Sequence, residues 1–266
     1  MEKADSSRED SKWATLDRNI LAIIFDKLDI MDITMGASRV CIYWFLVSHN
    51  ITLWNTIDLS KFQHKGKNVI YKYRVDDEDL MFVAERMPNI EKLALPVSWS
   101  LCNAVNSFRF AFSQWKNLKT LIMAHNDFFI WPYTFEFRVV GENCSNLNNL
   151  KIMGYLDNKD AVEIVRYLQS LKRLSLQCSL VTVEGVLSLI RGLENLVIFN
   201  VTHCKYLDYN PITMNIIVQA ATQKLEKFII CSENDCKVCK DRPNVLRLHG
   251  FYEKSWCNDE IKELEF

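Results

Sequence analysis

Residues 12–60 read KWATLDRNILAIIFDKLDIMDITMGASRVCIYWFLVSHNITLWNTIDLS, and the remainder of the chain is organised around this stretch. Ile20, Ile24 and Leu28 recur every four residues, with Leu21 beside Ile20, which puts an apolar stripe on one face of a helix. Asp17 stands where that helix opens, and a carboxylate there meets the positive end of the helix dipole. Asp29 and Asp32 bracket a break, after which a second helix can start near Ile33. Val40, Cys41, Trp44 and Val47 give a third helical pattern. Leu53 and Trp54 close the unit, and Ile57 and Leu59 alternate as in a short strand. A unit of about fifty residues has little room for a core of its own. This one nevertheless carries Phe25, Trp44, Trp54 and many aliphatics, and surplus apolar surface on so small a body marks a partner site.

Upstream, residues 1–11 (MEKADSSREDS) are charged and hold no large apolar side chain after Met1, as in a disordered tail. Downstream, from about residue 87, the phrase L-x-x-L-x-L recurs. It appears as Ile90, Leu93, Leu95; Leu118, Leu121, Met123; and Leu147, Leu150, Ile152. It returns as Leu171, Leu174, Leu176; Leu196, Phe199, Val201; and Leu225, Phe228, Ile230. The phrases begin at 90, 118, 147, 171, 196 and 225, a period within the range of leucine-rich repeats, about 20–29 residues. Each phrase predicts a short strand with an apolar side, and Ile57 with Leu59 can supply a leading one. Return helices are legible at 79–87, 103–115, 160–171, 182–193 and 212–224, the last opened by Pro211. The stretch 125–144, with its aromatic run FFIWPYTFEF, is the least regular and reads as a loop over one rim. Repeats of this kind bury their apolar side only against neighbours.

The inner row of such an array lies between the apolar positions. It holds Lys92, Ala94 and Pro96; Thr120, Ile122 and Ala124; Asn149, Lys151 and Met153; Arg173, Ser175 and Gln177; Ile198, Asn200 and Thr202; and Lys227, Ile229 and Cys231. Several cations and no carboxylate suit a protein or peptide ligand, above all an acidic one. The residues expected to touch a target are Lys92, Thr120, Ile122, Asn149, Lys151, Met153, Arg173, Ser175, Gln177, Asn200 and Lys227.

The tail breaks the repeat. Leu246, Leu248, Phe251, Tyr252, Trp256, Ile261 and Leu264 are expected to cover the last open repeat. Within it, Cys236-Lys237-Val238-Cys239 is a C-x-x-C, with Cys231 and Cys257 nearby. Four thiolates can hold zinc tetrahedrally. A second close-spaced pair is missing, so no metal and no other cofactor is assigned. His203 beside Cys204 invites a nucleophile reading, but neighbours on a strand point to opposite faces. There is no Gly-rich phosphate loop, G-x-S-x-G or H-E-x-x-H, so no catalytic residue is assigned.

Composition narrows the class. The 266 residues are 49% hydrophobic, with 32 Lys plus Arg against 33 Asp plus Glu and a net charge of −1. This balance calls for no nucleic-acid partner. Gly (7) and Pro (5) are scarce, which argues for a continuous folded body. No signal-peptide core and no run of membrane-spanning length is present, so no membrane partner is expected and the expected location is cytoplasm, nucleus or both. The nine cysteines are an odd number and read as free thiols.

The order Leu16, Ile20, Ile24-Phe25, Leu28, then Ser38-Arg39-Val40-Cys41, Trp44 and Leu53-Trp54 resembles an F-box. The closing Ile57-Asp58-Leu59 is similar to the join to the repeats in F-box proteins of the leucine-rich-repeat type, common in plants. Asp17 departs from the family's usual proline and Asn19 from its frequent glutamate. The resemblance implies an α/β chain in four parts. Residues 1–11 are the tail, 12–60 a three-helix F-box, 61–232 a short leucine-rich-repeat solenoid with parallel strands on the concave face and helices on the convex face, and 233–266 a C-terminal cap. It implies a non-catalytic substrate-recognition subunit of an SCF-type cullin-RING ubiquitin ligase, with a Skp-family adaptor and through it a cullin as partners. Adaptor contact carries over to Leu16, Ile20, Ile24, Phe25, Leu28, Val40, Cys41, Trp44 and Trp54. Some of these must instead hold the small core. Two other readings are a repeat scaffold without a ligase role and a small-molecule receptor on the repeat surface.

Overall fold

The computed structural model describes residues 13, 16–28, 32–49, 54–59, 77–95, 105–124, 136–208, 211–231, 236, 239 and 258–265. The chain divides into two units, Met1–Asn55 and Thr56–Phe266.

In the first unit, α1 (Arg18–Phe25) opens on Asp17, whose carboxylate accepts from the amides of Asn19 (2.9 Å) and Ile20 (3.4 Å). Asp17 therefore caps two of the amides that a helix start leaves unpaired. The segment expected as a second helix is a π-helical turn, Asp32–Gly36, running into a 3-10 helix, Ala37–Arg39. The last helix, α2 (Ile42–Ser48), opens on Cys41. Leu21, Phe25, Ile33, Ala37, Val47 and Trp54 form the buried core. Trp44 packs edge-on against Phe25, with ring centroids 5.5 Å apart, and its indole donates to the Trp13 carbonyl at 3.0 Å.

The second unit is a parallel α/β body. Its strands are β1 (Thr56–Asp58), β2 (Lys92–Leu95), β3 (Thr120–Ala124), β4 (Asn149–Met153), β6 (Arg173–Ser175), β8 (Ile198–Asn200) and β10 (Lys227–Ile229), which lie side by side in chain order. Parallel neighbours need a crossover, and helices supply it. They are α3 (Asp77–Arg86), α4 (Val105–Gln114), α5 (Phe137–Asn143), α6 (Asn158–Tyr167), α7 (Val183–Gly192) and α8 (Pro211–Lys224). The register aligns Ile57, Leu93, Leu121, Leu150, Leu174, Phe199 and Phe228 in one column. Ile57 does supply the leading strand.

One backbone device recurs at the foot of the sheet. The carbonyls of Glu91, Lys119, Asn148, Lys172 and Val197 each accept from two successive amides of the next repeat. This satisfies backbone polar groups that the stacking would otherwise bury unpaired.

Two features differ from the sequence reading. The irregular stretch includes α5, in which Phe137 and Val140 are buried together with the following Cys144. Their spacing is helical, but the aromatic run before them hides it; residues 125–135 lie outside the described residues. A second parallel sheet joins β5 (Tyr155–Leu156), β7 (Leu180–Val181) and β9 (Lys205–Tyr206), pieces too short to announce themselves by alternation.

Gly141 sits where α5 meets α6. A Cβ built there would lie 2.2 Å from the Tyr167 carbonyl oxygen. Alanine gains about 1 kcal/mol of helix propensity over glycine. Overlap with a backbone atom that cannot rotate away costs roughly 1–3 kcal/mol. Gly141→Ala is therefore expected to lower the urea midpoint, whereas a Gly-to-Ala change in an uncrowded helix raises it.

Candidate functional site

The first candidate is the face of the N-terminal unit. Ile20 (51% exposed), Ile23 (64%), Val40 (61%), Ile42 (74%) and Leu46 (53%) stand in solvent, and Phe45 and Leu28 are exposed to a lesser degree. Of the residues carried over from the F-box pattern, Ile20, Leu28 and Val40 are on this surface, while Leu16, Ile24, Cys41 and Trp44 are half-buried. Phe25 and Trp54 are buried and are corrected to core residues. The Trp54 indole donates to the Ser48 carbonyl at 2.6 Å, which ties the end of the unit to α2. Ile23, Ile42, Phe45 and Leu46 were not singled out from the sequence. Ile42 and Leu46 are spaced i, i+4 on α2, and that spacing was the available signal.

The second candidate is the polar face of the large sheet. Residues 258–265, which include a 3-10 turn at Lys262–Leu264, lie across it. Lys151 and Asp259 form an ion pair at 3.2 Å with both side chains fully buried, and the Lys151 ammonium also donates to the Asn258 carbonyl at 2.7 Å. Asp259 accepts from Ser175 (2.6 Å), Asn200 (3.0 Å) and its own chain at Ile261 (2.9 Å). Gln177, with its amide nitrogen facing them, donates to Asp259 (3.0 Å) and to the Asn258 carbonyl (2.8 Å). Glu260 accepts from Asn200 (2.6 Å) and Thr202 (3.0 Å), Arg173 pairs with Glu263 (3.2 Å), and Lys92 donates to the Glu265 carbonyl. Burial works against the Glu260 carboxylate, but hydrogen bonds from His203, Asn200 and Thr202 pull it down to about 2.

The expected target-contact row is therefore largely covered. Thr120, Ile122, Asn149, Lys151, Met153, Ser175, Gln177 and Asn200 are buried, Lys92 and Arg173 are half-buried, and Lys227 alone of the set is exposed. The cations of this row are met by the chain's own tail: Lys151 pairs with Asp259, Arg173 with Glu263, and Lys92 donates to the Glu265 carbonyl. The tail's Ile261 and Leu264 are buried beside this acidic strip, which lies across the sheet face. Leu246, Leu248, Phe251, Tyr252 and Trp256 fall outside the described residues.

The third candidate is a thiol cluster at the last strands. His203 Nδ1 lies 3.5 Å from Cys231 Sγ, 3.3 Å from Cys236 Sγ and 3.5 Å from Cys239 Sγ. The fourth member beside the three cysteines is His203; Cys257 lies outside the described residues. His203 is in a turn with φ 58°, so the alternation that separated it from Cys204 on paper does not apply. The two still point apart, because the buried Cys204 thiol donates to the Leu176 carbonyl at 2.9 Å. Burial pushes another interior thiol, Cys144, up to about 12 and keeps it protonated.

Relatives place this chain. A protein of Arabidopsis thaliana described as an F-box protein is 45% identical across the whole of both chains. The chain belongs to the F-box protein family found in plants. An F-box/LRR-repeat protein of the same plant is 25% identical over 99% of each chain. F-box protein SKIP1, also from Arabidopsis thaliana, is 25% identical over 77% of this chain and 83% of its own. No protein-family model matches the sequence. Among the described residues, no helix is long and apolar enough to cross a membrane.

The Lys151–Asp259 pair is the contact most sensitive to mutation on the sheet face. Asp259→Ala leaves a buried ammonium with its counter-charge removed, at a cost of about 3–5 kcal/mol. Replacing both partners, as Lys151→Met with Asp259→Leu, is expected to cost less than Asp259→Ala alone. Lys227→Ala, at an exposed position, should fall within about 0.5 kcal/mol of wild type. Urea unfolding of the four proteins measures the order.

Proposed function

We propose that this protein is the substrate-recognition subunit of an SCF-type cullin-RING ubiquitin ligase. In this reading the N-terminal helical segments form the F-box, docking on a Skp-family adaptor and through it a cullin. The second unit is a leucine-rich-repeat solenoid with strands on the concave face and helices on the convex face, and it holds the target protein. The chain performs no bond chemistry; it raises the local concentration of target lysines at the ubiquitin-loaded enzyme. In that role it works in the cytoplasm, the nucleus or both.

The observation that carries this reading is the exposure of Ile20, Ile23, Val40, Ile42 and Leu46 on a unit that buries Leu21, Phe25, Val47 and Trp54. So many aliphatics in solvent on so small a body lose free energy unless a partner covers them. Family membership supports the choice of an adaptor as that partner. The Asp17 departure leaves α1 intact, because the carboxylate caps it.

The covered polar face changes what a target meets. Glu260, Lys262, Glu263 and Glu265 of the tail segment keep exposed surface. A target approaching that face meets a mixed and mostly acidic strip in place of bare cations.

Titrating the purified full chain against a Skp-family adaptor tests the reading. Ile20→Ala with Ile42→Ala removes two exposed anchors without touching the core. Each truncation is expected to cost about 1–2 kcal/mol, so the double variant should bind roughly 30- to 1000-fold more weakly. Wild type that is folded and does not bind the adaptor overturns the ligase reading and leaves a repeat scaffold.

A further inference from the structure

The structure assigns His203, Cys231, Cys236 and Cys239 as a structural zinc site that closes the last repeat and holds the tail segment through Glu260.

The four donor atoms lie within 4.8 Å of one another. Bonds of about 2.3 Å to sulfur and about 2.0 Å to nitrogen hold tetrahedral ligands roughly 3.5–3.8 Å apart. The imidazole nitrogen lies 3.3–3.5 Å from the three sulfurs, and Cys231 Sγ is 3.6 Å from Cys239 Sγ. These four separations match edges of one coordination tetrahedron, and the other two sulfur pairs lie within 4.8 Å. A divalent cation also reverses the ordinary preference of crowded thiols for their protonated form. Three thiolates with one imidazole select zinc over the hard cations that oxygen ligands hold. Four protein donors leave no open position, which makes the site structural.

The surroundings are those of a metal site. The His203 amide donates to Cys231 Sγ at 3.1 Å, a hydrogen bond that stabilises thiolate charge. With Nδ1 turned to the sulfurs, Nε2 faces Glu260 Oε1 at 3.7 Å. A carboxylate behind a ligating histidine fixes the ring's tautomer and raises its basicity. Glu260 is itself held by Asn200 and Thr202 on the sheet face. Strand pairing builds the site: the Val201 amide bonds the Ile229 carbonyl across β8 and β10, which sets the His203 turn beside Cys231. The ion ties that turn to the chain beyond β10, the last strand of the sheet among the described residues.

The test uses the full chain purified under reducing conditions. Elemental analysis is expected to find about one zinc per chain. The metal-stripped chain should take up about one equivalent of cobalt(II), with the intense visible bands of tetrahedral geometry and thiolate-to-cobalt charge transfer. His203→Asn keeps a side chain that tolerates a positive φ but removes the imidazole, and it should abolish the tetrahedral spectrum, as should Cys236→Ser. Glu260→Gln retains all four donors and should weaken zinc about 10- to 100-fold. Circular dichroism reports whether each variant is folded. A folded wild type with no metal, with iron or copper in place of zinc, or with cobalt in a weak octahedral spectrum overturns the assignment. So does tetrahedral binding that survives both His203→Asn and Cys236→Ser. Adaptor binding is measured separately, and neither result depends on the other.

Discussion

No repeat in this chain can bury its own apolar row. The second residue of each strand in the large sheet is an isoleucine, leucine or phenylalanine, and that side chain is sealed only when the next strand pairs in register. One continuous column follows from this: Leu93 on Leu121, Leu121 on Leu150, Leu174 on Phe199. The helices are the crossovers that parallel pairing demands. The carbonyls that each accept from two amides at the foot of the sheet, and glycine at the α5–α6 approach, are what the close stacking requires of the backbone.

The same register has a second consequence. Aligning the apolar column also aligns the residues between, because alternate side chains leave opposite faces. Lys92, Lys151 and Arg173 are thereby gathered on one face with Ser175 and Asn200. Such a face must be solvated or answered by carboxylates, and the acidic tail answers it. Lys151 shows the stakes, since a fully buried ammonium is tolerable only with Asp259 and the Asn258 carbonyl against it. The thiol–imidazole cluster sits where the array stops, so the end of the stack and the anchoring of the tail are one problem with Glu260 as the link.

The N-terminal unit obeys a different economy. Its core is small, and it draws on Trp44 and Trp54 for rings that pack and indoles that bond backbone carbonyls. That leaves Ile20, Ile23 and Ile42 in solvent, the surface on which the proposed docking rests.

Much of the fold was legible in the residues. The period of the L-x-x-L-x-L phrase determined the strands and their order, and the helical spacing between phrases determined most of the crossovers. The helix start at Asp17 and the leading strand at Ile57 were equally plain. Phe137 and Val140 were not, because the aromatic run that leads into this short helix hides its period. The sites were less legible, for a single reason. Whether Phe25 or Ile23 faces solvent depends on where the other helices lie. Whether the cationic row is open depends on residues some hundred positions later in the chain. That His203 joins Cys231 depends on two strands, 29 residues apart by register, lying side by side. Local sequence determined which elements form, because periodicity and capping are local physics. Only the tertiary structure decided which side chains meet, because contact between distant residues is set by strand register and by the neighbour each repeat must have.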